Sequence, residues 1–289
     1  MGDLYTFHLF AGAGGGILAD ALLGHWPLGA IEIEPYPRGV LLQRQRDGLL
    51  PPFPVWDDVR TFRADNPDCA EYIEGLRAAR DGLAVCGGFP CQDISSAGKK
   101  AGIAGARSRL WGEMARIVRE IRPRYVFVEN VAAITSRGLG VVLGDLAAMG
   151  FDARWGVLGS CCAGATHRRE RMWITAVARA VQGASDERDS RPDNDSAPQG
   201  GRWRPDLSRG AGPEPGCDTS LLGLEDGRAD GVGGGTRAAL LGSGPWGSRE
   251  PGLDRMADGV ADRVDRHAAI GNGQVPALAA LAWEVLADG

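Results

Sequence analysis

Short apolar runs alternate with helix-length amphipathic stretches over the first 180 residues. Tyr5–Phe10, Gly29–Ile33, Leu83–Cys86, Tyr125–Val128 and Met172–Val177 read as strands. Ile17–Leu23 and Val141–Met149 read as helices, as does Leu110–Ile121, whose apolar residues at 110, 111, 114, 117, 118 and 121 keep helical spacing. This strand–helix rhythm predicts an α/β fold, a doubly wound and mostly parallel sheet. The rhythm then stops. Gln182–Cys217 holds one branched aliphatic, Leu207, and Asp218–Glu250 holds nine glycines, so loop-rich and partly disordered chain is expected there. Pro276–Leu286 returns to helical pattern. The expected organisation is a body over 1–180, an insert over 181–255, and a return to the body over 256–289.

Composition narrows the classes. The chain has 289 residues, enough for a sizeable core without staples, and 44 of them are glycine, a loop-forming excess. No apolar run reaches membrane-spanning length, and the N-terminus lacks a signal-peptide pattern, so a cytoplasmic protein with no membrane partner is expected. In that compartment the six cysteines read as free thiols. No CxxC pair occurs and the four histidines are scattered, so no metal site is expected. The net charge of −5 offers no global basic signature, so nucleic-acid binding must rest on local patches.

Several motifs carry candidate chemistry. Residues 10–16, FAGAGGG, sit between a strand and a helix, where a backbone can approach a ligand closely. The dinucleotide pattern GxGxxG would need glycine at position 17, which is Ile17. Glu32 follows the second strand, where a carboxylate can bind ribose hydroxyls. The glycines serve equally well as a tight strand–helix turn. Cys91, in the turn Gly87-Gly88-Phe89-Pro90-Cys91, stands beyond a strand end, where ligands bind in doubly wound sheets, and is a candidate nucleophile. Cys86 reads instead as core, and Cys161 and Cys162 as adjacent thiols without a role. Glu129 ends the strand Tyr125–Val128 and aims into the same cleft; the alternative is a helix N-cap region. Arg169 and Arg171 share a face in extended chain and suit an anionic partner, or else form a solvated charge run.

Taken together, FAGAGGG (10–16), GGFPCQDIS (87–95) followed by GKKAG (98–102), ENV (129–131), RRERMW (168–173) and AIGNGQVP (269–276) resemble the cytosine-5 DNA methyltransferases. The strings occur in the family's order and cover nearly the whole chain outside 180–255. The resemblance implies S-adenosylmethionine as cofactor and transfer of its methyl group to C5 of a cytosine flipped out of a specific double-stranded DNA sequence. It implies Cys91 as the nucleophile adding to C6, Glu129 as the acid facing the N3 edge, and Arg169 and Arg171 as the pair bracing the base and Glu129. For the cofactor it implies Phe10, Gly12, Gly14, Gly15, Glu32, Ile33, Asp58 (with Asp57 one step away), Pro90 and Asn272. Ile33 stands where the family often has an aromatic, and His167 where glutamine is frequent. Gln92, Ser95, Lys99, Lys100, Arg107 and Arg109 are the expected DNA contacts, on a loop expected to close over DNA. By position, the insert resembles the family's target-recognition region, yet residues 182–266 hold 11 basic against 16 acidic residues. A monomer is expected, with a cognate restriction endonuclease acting separately. A tRNA substrate is the first alternative, although the Cys-Phe-Thr tripeptide of that branch is missing. The second is a cofactor-binding DNA-recognition protein without turnover; a nicotinamide oxidoreductase is the most distant.

Overall fold

The computed structural model describes residues 4–90, 109–165, 167–179, 265, 269 and 271–287. Seven strands form one sheet: β1 (Tyr5–Leu9), β2 (Trp26–Ile31), β3 (Val55–Trp56), β4 (Leu83–Gly87), β5 (Tyr125–Val131), β6 (Phe151–Leu158) and β7 (Arg171–Ala178). Their order is β3-β2-β1-β4-β5-β7-β6, parallel except that β7 runs antiparallel to both neighbours. The expected doubly wound, mostly parallel sheet is what the chain builds.

The helices α1 (Gly15–Leu23), α2 (Pro35–Arg46), α3 (Pro67–Ala78), α4 (Arg109–Ile121), α5 (Ile134–Arg137), α6 (Leu139–Ala148) and α7 (Pro276–Ala287) accompany the sheet. One core joins β-strand side chains to α3, α4 and α6 through Ile73, Leu76, Met114, Val118, Val142 and Leu146. A second joins the opposite face to α1 and α7 through Ala19, Phe127, Trp173, Leu278 and Trp283. β4, with all five residues buried, reads as the continuous apolar run of a strand covered on both faces.

Several elements lie outside the strands and helices expected from the sequence. β3 is two residues long, too short to carry a period. β6 lies at the sheet edge, where exposed Asp152 and Arg154 alternate with Phe151, Ala153 and Trp155 as in a half-buried strand. α2 buries only Leu41, so it has hardly an apolar stripe, and its Pro35 looks like a loop residue although it occupies the first helical turn. α3 does carry a stripe, Cys69, Ile73 and Leu76, and starts at an Asn66 cap whose side chain accepts from the Asp68 amide.

The last helix is bound to the body by aromatic packing. Trp283 meets Phe127 at 5.3 Å, Tyr125 at 5.5 Å and His25 at 5.2 Å between ring centroids, and Phe127 stacks on Trp173 at 5.3 Å. Trp283→Ala is therefore expected to cost about 3 kcal/mol by removing a buried indole and leaving a cavity. Urea unfolding of the two chains measures the difference.

Under α1 the sheet buries polar groups. The Thr6 hydroxyl donates to Asp20 Oδ2 at 2.7 Å, and His8 Nε2 stands 2.7 Å from the same oxygen. Cys69 and Cys86 are free thiols. Cys86 is core, as its strand position suggested, and burial together with nearby Asp20 pushes its thiol well up, away from nucleophilic thiolate. Among the described residues no helix is long and apolar enough to cross a membrane.

Candidate active site

The strand order reverses between β1 and β4, and the candidate residues gather beyond the carboxyl ends of the strands on both sides of that point. Phe10 follows β1 with φ +56°, an uncommon backbone for a side-chain-bearing residue; Gly12 and Gly14 follow at +54° and +88°. The chain thus turns sharply before α1. A Cβ on Gly12 would meet nothing within 4 Å, so the turn is open at that position.

Glu32 follows β2 and is buried. Its Oε2 accepts from the Gly12 amide at 2.6 Å and its Oε1 from the Glu34 amide at 2.8 Å. Burial raises its pKa against the lowering effect of those two amides. Each oxygen keeps a lone pair for a hydroxyl donor. Two arginines of α2 support the turns from behind: Arg38 donates to the Glu32 and Ile33 carbonyls, and Arg44 to the Ala13 carbonyl. Ile33 itself is half exposed beside Glu32. Past β3, Asp57 is exposed, while the Asp58 carboxylate is engaged by Arg60 at 2.6 Å, which lowers its pKa.

β4 leads into Gly88, Phe89 and Pro90. Phe89 is buried against Trp111 of α4 at 5.5 Å, and its carbonyl accepts from Asn130 Nδ2 at 3.0 Å. Pro90 is exposed at the end of this anchored turn. Cys91, Gln92, Ser95, Lys99, Lys100 and Arg107 lie outside the described residues, and Arg109 is the first residue of α4.

Glu129 lies within β5, which runs on to Val131. The N-cap alternative for Glu129 and Asn130 is thereby corrected: the ladder with β7 continues through both residues, and the next helix starts only at Ile134. Glu129 pairs with Trp173 and Val131 with Arg171. In this antiparallel register Arg171 is the diagonal neighbour of Glu129 on one face. Its Nε reaches Glu129 Oε1 at 2.9 Å. Arg169 takes another course, donating to the carbonyls of Gly271 at 2.6 Å and Gly273 at 2.7 Å. The two guanidiniums thus divide between the acid and the segment before α7, which also holds Asn272. Burial raises the Glu129 pKa most, and the Arg171 and Arg169 charges oppose it, with hydrogen bonds from Arg171 and Gln274.

Gln274 was absent from the candidate residues. Its signal lay within AIGNGQVP, but a glutamine in a glycine-rich turn shows no chemistry until its neighbours are known.

Residues 4–197 match the family model described as C-5 cytosine-specific DNA methylase. The chain belongs to this family. Type II methyltransferase M.Sau96I of Staphylococcus aureus is 30% identical over 179 residues, 61% of this chain and 39% of that protein. Type II methyltransferase M.HhaI of Haemophilus parahaemolyticus is 36% identical over 94 residues, 31% of this chain and 29% of that protein. Among solved structures, the S. pombe Dnmt2 methyltransferase has 20% identity and a TM-score of 0.46, covering 61% of this chain and 51% of that one. The chain spans well under half the length of the two type II methyltransferases it matches.

S-adenosylmethionine is the family's methyl donor. The residues present fit it: the buried Glu32 carboxylate stands beside Gly12, where an added Cβ would meet nothing within 4 Å. Close packing also sets the position of the last segment. A Cβ on Gly15 would stand 2.2 Å from the Gln274 carbonyl oxygen, backbone against backbone. Gly15→Ala is expected to destabilise the fold by about 2 kcal/mol, since neither partner can swing away. A thermal melt of the variant beside the parent chain checks this.

Proposed function

We propose that this chain transfers a methyl group from S-adenosylmethionine to C5 of a cytosine flipped out of a specific double-stranded DNA sequence, through a covalent Cys91–C6 adduct. The observation that carries this reading is Glu129, a buried carboxyl held by Arg171 on the strand whose next residue, Asn130, anchors the Phe89–Pro90 turn.

Phe10, the glycine turn, Glu32, Ile33, Asp58, Pro90 and Asn272 would hold the cofactor. Bound there, it supplies an electrophilic methyl on a sulfonium. Glu32 accepts from the ribose hydroxyls with the lone pairs its backbone partners leave. Gly12 keeps the adenosine side free of side chain. Ile33 offers an apolar surface beside the ribose.

On the base side, the Cys91 thiolate adds to C6 of cytosine, and the ring's electron pair moves to C5. Glu129 donates its proton to N3, which prevents negative charge from building up on the ring. Burial favours the protonated form this step needs. C5 takes the methyl group as the bond from that methyl to the sulfonium sulfur breaks, leaving a neutral thioether; a base removes the C5 proton, its electrons re-form the C5–C6 double bond as the thiolate leaves C6, and N3 returns its proton to Glu129. The cytosine must leave the duplex to reach the cleft. Arg171 holds the acid toward the N3 edge. Gln92, Ser95, Lys99, Lys100, Arg107 and Arg109 are proposed to meet the DNA. A monomer in the cytoplasm, with an endonuclease acting separately, completes the proposal.

The test is transfer of tritium-labelled methyl into mixed-sequence DNA and, separately, into tRNA. Label in DNA is the expected result. Label in tRNA alone moves the substrate to RNA, and label in neither overturns the enzymatic reading. DNA carrying 5-fluorocytosine should trap a complex that survives denaturant, because fluorine at C5 cannot leave as a proton does.

A further inference from the structure

Gln274 stands where both glycine turns and the acid of β5 come within reach of one side chain. Its Oε1 is 2.6 Å from where a Gly16 Cβ would be, a point that His8 Nδ1 approaches at 3.2 Å. Its Nε2 is 3.4 Å from where a Gly88 Cβ would be, and Glu129 Oε2 is 2.6 Å from that same point. The amide is thus threaded between two glycines, and side chains on either would displace it. Its Nε2 and Glu129 Oε2 thus border the same point, and the amide beside the carboxylate opposes the rise that burial gives the Glu129 pKa.

The remaining contacts show what this does. Arg171 takes one oxygen of Glu129, Oε1. A carboxyl bound at one oxygen can still turn about its last torsion, which is broad for glutamate. Arg169 donates to the carbonyls of Gly271 and Gly273, next to Gln274 in the chain.

We propose that Gln274 is a positioning residue that fixes the second oxygen of Glu129, and that Arg169 acts on Glu129 through it by clamping the backbone on which Gln274 rides. The segment before α7 thereby links the seating of the glycine turn after β1 to the aim of the acid. Among the described residues, the groups facing Glu129 are Arg171 from β7, Arg169 from the loop before it, and the Gln274 amide; His8, held by Asp20, stands on the far side of that amide. The assignment rests on the reading of Glu129 as the acid toward the cytosine ring.

Gln274→Met keeps the length and removes the donor; Gln274→Asn keeps the amide and withdraws it by one methylene. In either variant the carboxylate loses a donor, so its protonation midpoint moves up. The first measurement is carbon NMR of glutamate labelled at the carboxyl, with the Glu129 signal identified by its loss in Glu129→Gln, titrated in the ligand-free chain. The second is methyl transfer into DNA across pH. The expected result is an upward shift of the Glu129 midpoint in both variants. With it kcat falls about two- to tenfold, as for a lost hydrogen bond to the neutral carboxyl that turnover uses. The alkaline limb of the profile moves up with the midpoint, and KM for S-adenosylmethionine changes less than kcat. An unmoved Glu129 midpoint overturns the assignment, as does a fall in kcat with an unshifted limb, which is what loosened packing alone would give. A midpoint that shifts in a parent chain that methylates nothing sustains the positioning role and sinks the proposed activity instead.

Discussion

Cys91→Ser is expected to abolish methyl transfer, a loss of about 10⁴-fold or more in kcat, while leaving the fold and cofactor affinity intact. The reason is the nucleophile. A thiol ionises near pH 8.5 and gives a usable thiolate at neutral pH, and a neighbouring positive field increases its share. An alcohol in the same place has no comparable anion and adds poorly to a neutral ring. The turn leading to it should not change. Phe89 is buried on Trp111, and its carbonyl is held by Asn130. Neither contact involves the sulfur. Tritium transfer into DNA measures the loss, and titration calorimetry with S-adenosylmethionine should give an unchanged Kd. A Cys91→Ser chain with normal turnover would remove the covalent route.

Glu129→Gln should lower kcat by about 10³-fold, within the range a positioned general acid contributes. The amide preserves shape and can still meet Arg171, but it has no acidic proton for N3. Two pH effects should vanish with it. First, activity of the parent chain should decline as pH rises through the Glu129 pKa, because only the protonated carboxyl donates; the residual activity of the variant should lack that limb. Second, the folded-state pKa is raised by burial, so the folded chain holds this proton more tightly than the unfolded chain. The resulting stabilisation is present below the ordinary carboxylate range and is lost as pH rises through the raised value. Urea midpoints across that interval should fall in the parent chain and flatten in Glu129→Gln. A parent profile without an alkaline limb would remove the acid role.

Much of this site was legible before any fold was known, because its parts are local. A glycine turn needs only adjacent residues, and FAGAGGG supplies them. The proline-cysteine turn and the acid after an apolar run are equally compact signals. β4 and α4 stood out because each buries a full period of side chains. Of the elements that did not stand out, β3 is two residues long and α2 rests on Leu41 alone. Arg169 and Arg171 could be paired by spacing but not by destination. One reaches Glu129 and the other the carbonyls of Gly271 and Gly273, a division no spacing encodes.

By itself, then, the chain's order of residues determined the sheet class and pointed to the two turns and to the acid and thiol proposed for the reaction. These follow from short-range backbone freedom and from apolar periodicity. Tertiary structure alone decided which groups meet. The antiparallel register of β7 sets Arg171 beside Glu129. The return of the C-terminal segment across the sheet sets Gln274 among Gly15, Gly16 and Gly88. Both depend on contacts between residues far apart in the chain, whose distances are set by packing and not by sequence spacing.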